Sequence, residues 1–71
     1  MEMKPVNSSN ISQIGHDPEL ELLKVQFTKG AAYEYRDVTA ETFGELESAP
    51  SVGSYFAQNI KGKYPYRKAT G

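Results

Sequence analysis

The feature that most restricts the fold of this chain is a three-residue link between two segments in which apolar and polar residues alternate. Residues 20–27 read LELLKVQF, residues 31–37 read AAYEYRD, and Thr28, Lys29 and Gly30 lie between them. Alternate residues of a β-strand point to the same face, so each segment has an apolar and a polar face. A three-residue loop that ends in glycine predicts that the two segments form a β-hairpin.

Loop length also fixes which side chains share a face. A three-residue loop pairs Val25 with Tyr33 and Leu23 with Tyr35, so both tyrosines lie on the apolar face. A two-residue loop would instead place Glu34 beside Val25, and an unpaired charge there would cost several kcal/mol. A chain of 71 residues has a total stability of only about 4–10 kcal/mol. The sequence therefore predicts the three-residue loop.

The two tyrosines of this hairpin have two possible roles. Tyr33 and Tyr35 would stand about 6.6–6.8 Å apart along the strand, a spacing that suits a base stacked between two rings. Their place on the apolar face favours a structural role in the core, although a buried tyrosine usually keeps its hydroxyl at a wet rim. A partly exposed face that is open to a ligand is the alternative.

The other segments complete an α+β fold, a three-stranded antiparallel β-meander followed by two short helices packed on one face. Residues 9–17 predict a first strand with a bulge, because Ile11 and Ile14 are three residues apart and break the alternation. A turn is expected around residues 16–20, since Asp-Pro favours turn initiation.

The helices are predicted from capping residues and apolar spacing. Residues 38–49 form the first helix with Thr39 as N-cap, and residues 51–64 form the second with Ser51 as N-cap. In the second helix an apolar stripe recurs every four residues, at Val52, Phe56 and Ile60. Gly62 is its expected stop.

Composition restricts the chain to one small domain. We expect a flexible N-terminal segment at residues 1–8, a single domain at residues 9–64 and a basic C-terminal tail at residues 65–71. The absence of cysteine excludes disulfides and thiolate zinc sites, so no cofactor or metal is expected. Without an apolar run of signal-peptide or membrane-span length, the expectation is a cytoplasmic protein, monomeric or weakly dimeric, with no membrane partner.

Charge is distributed unevenly along the chain. The net charge is −1, but residues 1–50 carry all nine carboxylates against four cations, whereas residues 51–71 carry four cations and no acid. Cations neutralise phosphates and exposed rings stack on bases, which suits single-stranded or looped RNA. The nucleic-acid-binding candidates at this basic end are Lys61, Lys63, Tyr64, Tyr66, Arg67 and Lys68. The alternative is a solvated tail, with Tyr64 packed on the sheet.

Other candidate sites are weaker. Ser51, Gly53 and Ser54 at the start of the second helix are anion-binding candidates, because free N–H groups there attract phosphate. Helix capping by Ser51 and close packing at Gly53 are the simpler interpretation. His16, the sole histidine, lacks the partners that a catalytic base or a metal site needs, so we expect a turn residue and no enzyme activity.

The order of these features resembles the KTSC domain, a small module found at the C-terminus of some lysyl-tRNA synthetases and as a free-standing bacterial or phage protein. The matching stretches are SSNISQIGHD, LKVQFTKGAAYEY with its central Tyr-x-Tyr at Tyr33 and Tyr35, and SAPSVGSYFAQNI followed by Tyr64. The family often has tyrosine at the position of His16. The resemblance implies a role in RNA binding, which has been suggested for the family from its synthetase context.

Two functions follow as hypotheses. The first is a non-enzymatic module that contacts RNA or single-stranded nucleic acid through the basic, tyrosine-containing C-terminal end. The second is a protein-interaction adaptor or a phage-encoded modulator of a host protein, which would use the acidic half or an uncovered strand edge.

Overall fold

The computed structural model describes residues 2–69, which form an α+β fold around one antiparallel sheet. The elements in chain order are β1 (Met3–Pro5), β2 (Ile11–Asp17), β3 (Leu22–Phe27), β4 (Ala32–Tyr35), α1 (Ala40–Glu47), α2 (Val52–Tyr55) and β5 (Tyr66–Ala69). A π-helical segment (Phe56–Ile60) continues α2 directly. The α+β class is confirmed, but the prediction of three strands is wrong, because the sheet has five within the described residues.

The two additional strands lie at the edges of the sheet, whose order is β1-β2-β3-β4-β5. They fall in the segments that the sequence placed outside the domain, residues 1–8 and 65–71. Short edge strands tolerate proline and charge, so neither strand has the apolar alternation of a central strand. Met1, Thr70 and Gly71, which those predicted segments include, lie outside the described residues, and the domain boundaries stay a prediction.

The predicted register of the hairpin is confirmed. Val25 pairs with Tyr33 in the β3–β4 ladder. The backbone N–H of Phe27 donates to the Ala31 carbonyl at 2.8 Å, and the N–H of Gly30 donates to the Phe27 carbonyl at 3.0 Å. Gly30 has φ +102°, a conformation that favours glycine. The loop therefore holds both tyrosines on the face that carries the core.

The bulge in β2 is confirmed, whereas the placement of His16 in a turn is wrong. The register between β2 and β3 shifts between Ile11 and Gln13. His16 lies within β2, and its Nε2 donates to the Val38 carbonyl at 2.6 Å. Its ring stacks on Phe43 with the ring centroids 5.0 Å apart. His16 thus connects the sheet to α1 and to the segment that precedes it, through one hydrogen bond and one ring contact.

Both helices begin where their capping residues predict and end earlier than expected. The Thr39 hydroxyl accepts from the Thr42 N–H at 3.2 Å, and the Ser51 hydroxyl accepts from the Ser54 N–H at 3.3 Å. The predicted helices at residues 38–49 and 51–64 shorten to Ala40–Glu47 and to α2 with its π-helical continuation. Gly62, the expected stop, follows with φ +79°.

The core lies between the sheet and these helices. Its buried side chains are Ile11, Ile14, Leu23, Val25, Tyr35, Val38, Leu46, Val52, Phe56 and Ile60. The apolar stripe of the second helix is therefore buried, as its spacing predicts. Towards the β3–β4 loop the face of the sheet is only partly covered, and a groove opens there beside the π-helical segment.

Candidate nucleic-acid interface

The candidate site is this groove, which has a volume of about 680 Å³. Its walls come from the start of β2, the β3–β4 hairpin, the π-helical segment and β5. The lining residues that bear on function are Phe27, Lys29, Tyr33, Tyr35, Gly53, Phe56, Ala57, Lys61 and Tyr66. Residues far apart in the chain are thus brought to one concave surface, the aromatic groove.

Five of the described lining residues are aromatic, and their rings form a closed circuit. Phe27 contacts Tyr33 with ring centroids 5.7 Å apart, and Tyr33 contacts Tyr66 at 5.8 Å, both edge to face. Tyr66 stacks on Tyr35 at 5.4 Å with an interplanar angle of 28°. Tyr35 contacts Phe56 at 5.3 Å, and Phe56 returns to Phe27 at 5.7 Å. Such pairs prefer offset or edge-to-face geometry, so the circuit is a stable wall.

The tyrosines of this wall differ in exposure. Tyr35 is 4% exposed and belongs to the core, and Tyr33 is half-buried. Tyr66 is 59% exposed although it stacks on Tyr35. Tyr35 therefore belongs to the core, and Tyr33 packs against the core and also borders the groove together with Tyr66. A ligand contact by either tyrosine stays a prediction.

Burial raises the pKa of the Tyr35 phenol above its usual value, and the nearby Tyr66 and Tyr33 hydroxyls add to the shift. The unfolded chain therefore loses the phenol proton at a lower pH than the folded chain does. The folded state consequently loses stability as pH rises above about 10. We expect urea unfolding midpoints to fall less between pH 9 and 11 in Tyr35→Phe than in the unaltered protein. Parallel pH profiles for the two proteins would contradict this expectation.

The residues of the basic end do not form one surface. Tyr66 and Lys61 line the aromatic groove, and Lys68 pairs with Tyr33 in the β4–β5 ladder. Strand alternation turns Arg67 to the opposite face of the sheet, where its Nε donates to Glu34 Oε1 at 2.9 Å.

The last two candidates of the basic end, Tyr64 and Lys63, also lie outside the groove lining. Tyr64 packs against the core, as the alternative interpretation held. Lys63 is exposed and lies outside the groove lining. In contrast, Lys29 lines the groove and was missed. The available signal for Lys29 was its position in the hairpin loop. The sequence did not reveal that this loop lies beside the second helix.

The three anion-binding candidates at the start of α2 have structural partners. The Ser51 hydroxyl accepts the Ser54 N–H. A Cβ at position 53 would lie 3.0 Å from the Ser8 hydroxyl, so a larger residue there would require the Ser8 side chain to shift. The same Ser8 oxygen accepts from the N–H of Asn10 at 3.3 Å. Close packing is thus observed at Gly53, and anion binding stays a prediction.

Among residues 2–69, no group of three or more His, Asp or Glu side chains is placed to hold a metal ion. Within the same residues, every helix is too short or too polar to cross a bilayer.

Similar proteins exist as small free-standing chains. A protein of Tsukamurella paurometabola is 39% identical over 62 residues, which cover 87% of this chain and 92% of that protein. The crystal structure of a KTSC domain protein from Yersinia pestis has 38% sequence identity, a TM-score of 0.91 and 97% coverage of both chains.

Similar sequence also occurs inside a much larger protein. A lysine–tRNA ligase of Trichormus variabilis is 36% identical over 66 residues, which cover 93% of this chain but only 12% of the ligase. The family model for the KTSC domain matches residues 7–64. This chain therefore belongs to the KTSC domain family.

Proposed function

We propose that this protein is a small non-enzymatic module that binds RNA or single-stranded nucleic acid through the aromatic groove. The observation that carries the proposal is the coincidence of exposed Tyr66 and half-buried Tyr33 with two lysines, Lys29 and Lys61, at one concave surface. Single-stranded nucleic acid is bound by the same combination, since aromatic rings stack on bases and cations neutralise phosphates.

The relatives add context to this proposal. The lysine–tRNA ligase of Trichormus variabilis acts, by its name, on a tRNA, and it contains a segment similar to nearly the whole of this chain. The segment accounts for 12% of that enzyme, so most of the ligase lies outside it. A supporting contact to RNA is a function that such a segment and a free-standing chain can share.

Neutralising the lysines of the groove is expected to weaken RNA binding selectively. In Lys29→Gln/Lys61→Gln two phosphate contacts are lost, so the slope of log K against log salt should become shallower by about 1.4. Affinity near 0.1 M salt should fall on the order of 10- to 30-fold. Fluorescence anisotropy with a labelled single-stranded RNA, measured over a salt series, gives both quantities.

The matched control removes the same charge from outside the groove. Lys63→Gln/Arg67→Gln should keep nearly the full affinity, because Lys63 lies outside the lining and Arg67 pairs with Glu34 on the other face. Equal losses in the two double variants would indicate diffuse attraction by the basic end instead. Absence of RNA binding by the unaltered protein at low salt would end the proposal.

A protein-interaction adaptor is the second candidate function. It is supported by β5 (Tyr66–Ala69), which lies at the edge of the sheet and offers backbone groups for strand addition. A partner bound in this way would be retained after nuclease treatment. It would also be retained by the variant Lys29→Gln/Lys61→Gln. Pull-downs with that variant and with the unaltered protein separate the two functions.

A further inference from the structure

We propose, building on the nucleic-acid function above, that the aromatic groove is a pocket for a single unstacked nucleotide, whose base stacks on Tyr66 and whose phosphate lies between Lys29 and Lys61. The groove would then also bind free nucleoside monophosphates and would select chain ends and loops over duplex. The proposal rests on the exposure of the rings, the charge of the rim, the size of the groove and the backbone of its helical wall.

The exposed ring provides the stacking surface. Tyr66 already lies nearly parallel to the buried ring of Tyr35, so a base on its solvent side extends a stack whose inner member is fixed in the core. Tyr33 contacts Tyr66 edge to face and restricts the movement of its ring. The surface is therefore preorganised, which lowers the entropic cost of binding.

The charge of the rim selects the class of ligand. An aromatic cage can also hold a cation such as methylated lysine. Among the described lining residues, however, the charged ones are Lys29 and Lys61, and none is acidic. A cationic ligand would be repelled, whereas a ligand with one aromatic part and one anionic part meets both properties of the groove. A nucleotide is such a ligand.

The dimensions of the groove favour one nucleotide over a duplex. Its volume of about 680 Å³ lies within the range of about 300–1,000 Å³ that is usual for small-molecule sites. A base in a duplex is held between its neighbours and presents only an edge, so it cannot stack on Tyr66 unless it leaves the helix. An unpaired base has both faces available.

The helical wall has a backbone irregularity at this place. Phe56–Ile60 is π-helical, and the N–H of Lys61 donates to the Phe56 carbonyl at 2.8 Å. Isolated π-turns occur frequently at functional sites. Ala57, with its small side chain, and Lys61, with its cation, are four residues apart and both line the groove. Space for a base and charge for its phosphate thus come from one turn.

The test is an NMR titration of the full chain with uridine monophosphate. We expect amide shifts to cluster at Tyr33, Ala57, Lys61 and Tyr66, with binding at least about fivefold weaker for uridine, which lacks the phosphate. Ribose 5-phosphate, which lacks the base, should be weaker by a similar factor. If ribose 5-phosphate binds as well as the nucleotide, the groove is only an anion site and the inference is overturned.

Variants assign the two contacts. Tyr66→Leu keeps an apolar side chain but removes the stacking ring, so we expect a loss of about 5- to 100-fold in nucleotide affinity. Lys61→Gln should lower the affinity for the nucleotide but not the affinity for uridine. Lys63→Gln is the matched control and should change neither affinity. An unchanged affinity in Tyr66→Leu, with its spectrum otherwise intact, would overturn the stacking contact.

An RNA oligonucleotide measured alongside separates the inference from the function on which it rests. If the oligonucleotide binds but the nucleotide does not shift the amide signals of the groove residues, the proposed nucleotide pocket is wrong while the proposed RNA binding stands. If neither binds, both proposals fail.

Discussion

Replacing Phe56 by alanine is expected to lower the free energy of unfolding by about 3–5 kcal/mol. Phe56 is 4% exposed and contacts the rings of both Phe27 and Tyr35. It also lies in the π-helical segment, which has little regular helix to hold it once the packing is lost. With a total stability of about 4–10 kcal/mol for a chain of this size, the variant should be partly unfolded at 37 °C.

The matched control removes another ring of the same circuit. Tyr66 is 59% exposed, so Tyr66→Ala should cost about 1 kcal/mol or less. Urea unfolding followed by circular dichroism measures both variants. The pair also tests the proposed function separately from stability, because that proposal expects Tyr66→Ala to lose affinity for nucleic acid while it remains folded. Similar destabilisation by the two changes would show that the circuit acts as one structural unit.

Much of the fold follows from local signals in the sequence. The loop at residues 28–30 sets the hairpin register, and the unequal spacing of Ile11 and Ile14 reveals the bulge. Thr39 and Ser51 mark the helix starts, since their hydroxyls satisfy backbone N–H groups close by. Each of these signals depends on neighbours within a few residues, which is why sequence alone was sufficient.

The two edge strands depend on contacts that local patterns do not encode. β1 pairs with β2 through three residues, one of which is Pro5, and β5 pairs with β4 although three of its four residues are exposed. Neither strand has apolar alternation, because an edge strand at a solvated border is held mainly by the backbone ladder. Their pairing becomes apparent only when the neighbouring strand is in place.

The composition of the candidate site was only half predictable for the same reason. The basic end was identified as a group, but β5 sends Tyr66 and Arg67 to opposite faces of the sheet. Lys29 joins the groove from a loop more than thirty residues from Lys61 in the sequence. Sequence thus predicted the types of residue that a nucleic-acid site would need, whereas topology decided which of them share a surface.

A second large effect is expected from the residue that closes the hairpin. Gly30 has φ +102°, where a residue with a Cβ is strained even though nothing lies within 4 Å of the added atom. Gly30→Ala should therefore destabilise the protein by about 1–3 kcal/mol. Because the loop also sets the register that places Tyr33 on the groove face, a strained loop should weaken the proposed nucleotide binding as well.

Gly44 provides the matched control for this prediction. It lies within α1 with open space around its Cβ position, so Gly44→Ala should stabilise the protein by up to about 1 kcal/mol through helix propensity. The same chemical change is thus expected to have opposite signs at two positions, as measured by thermal and urea unfolding. If Gly30→Ala were neutral or stabilising, the loop would have to reach another conformation at no cost. The register would then depend on the cross-strand side chains and not on the turn.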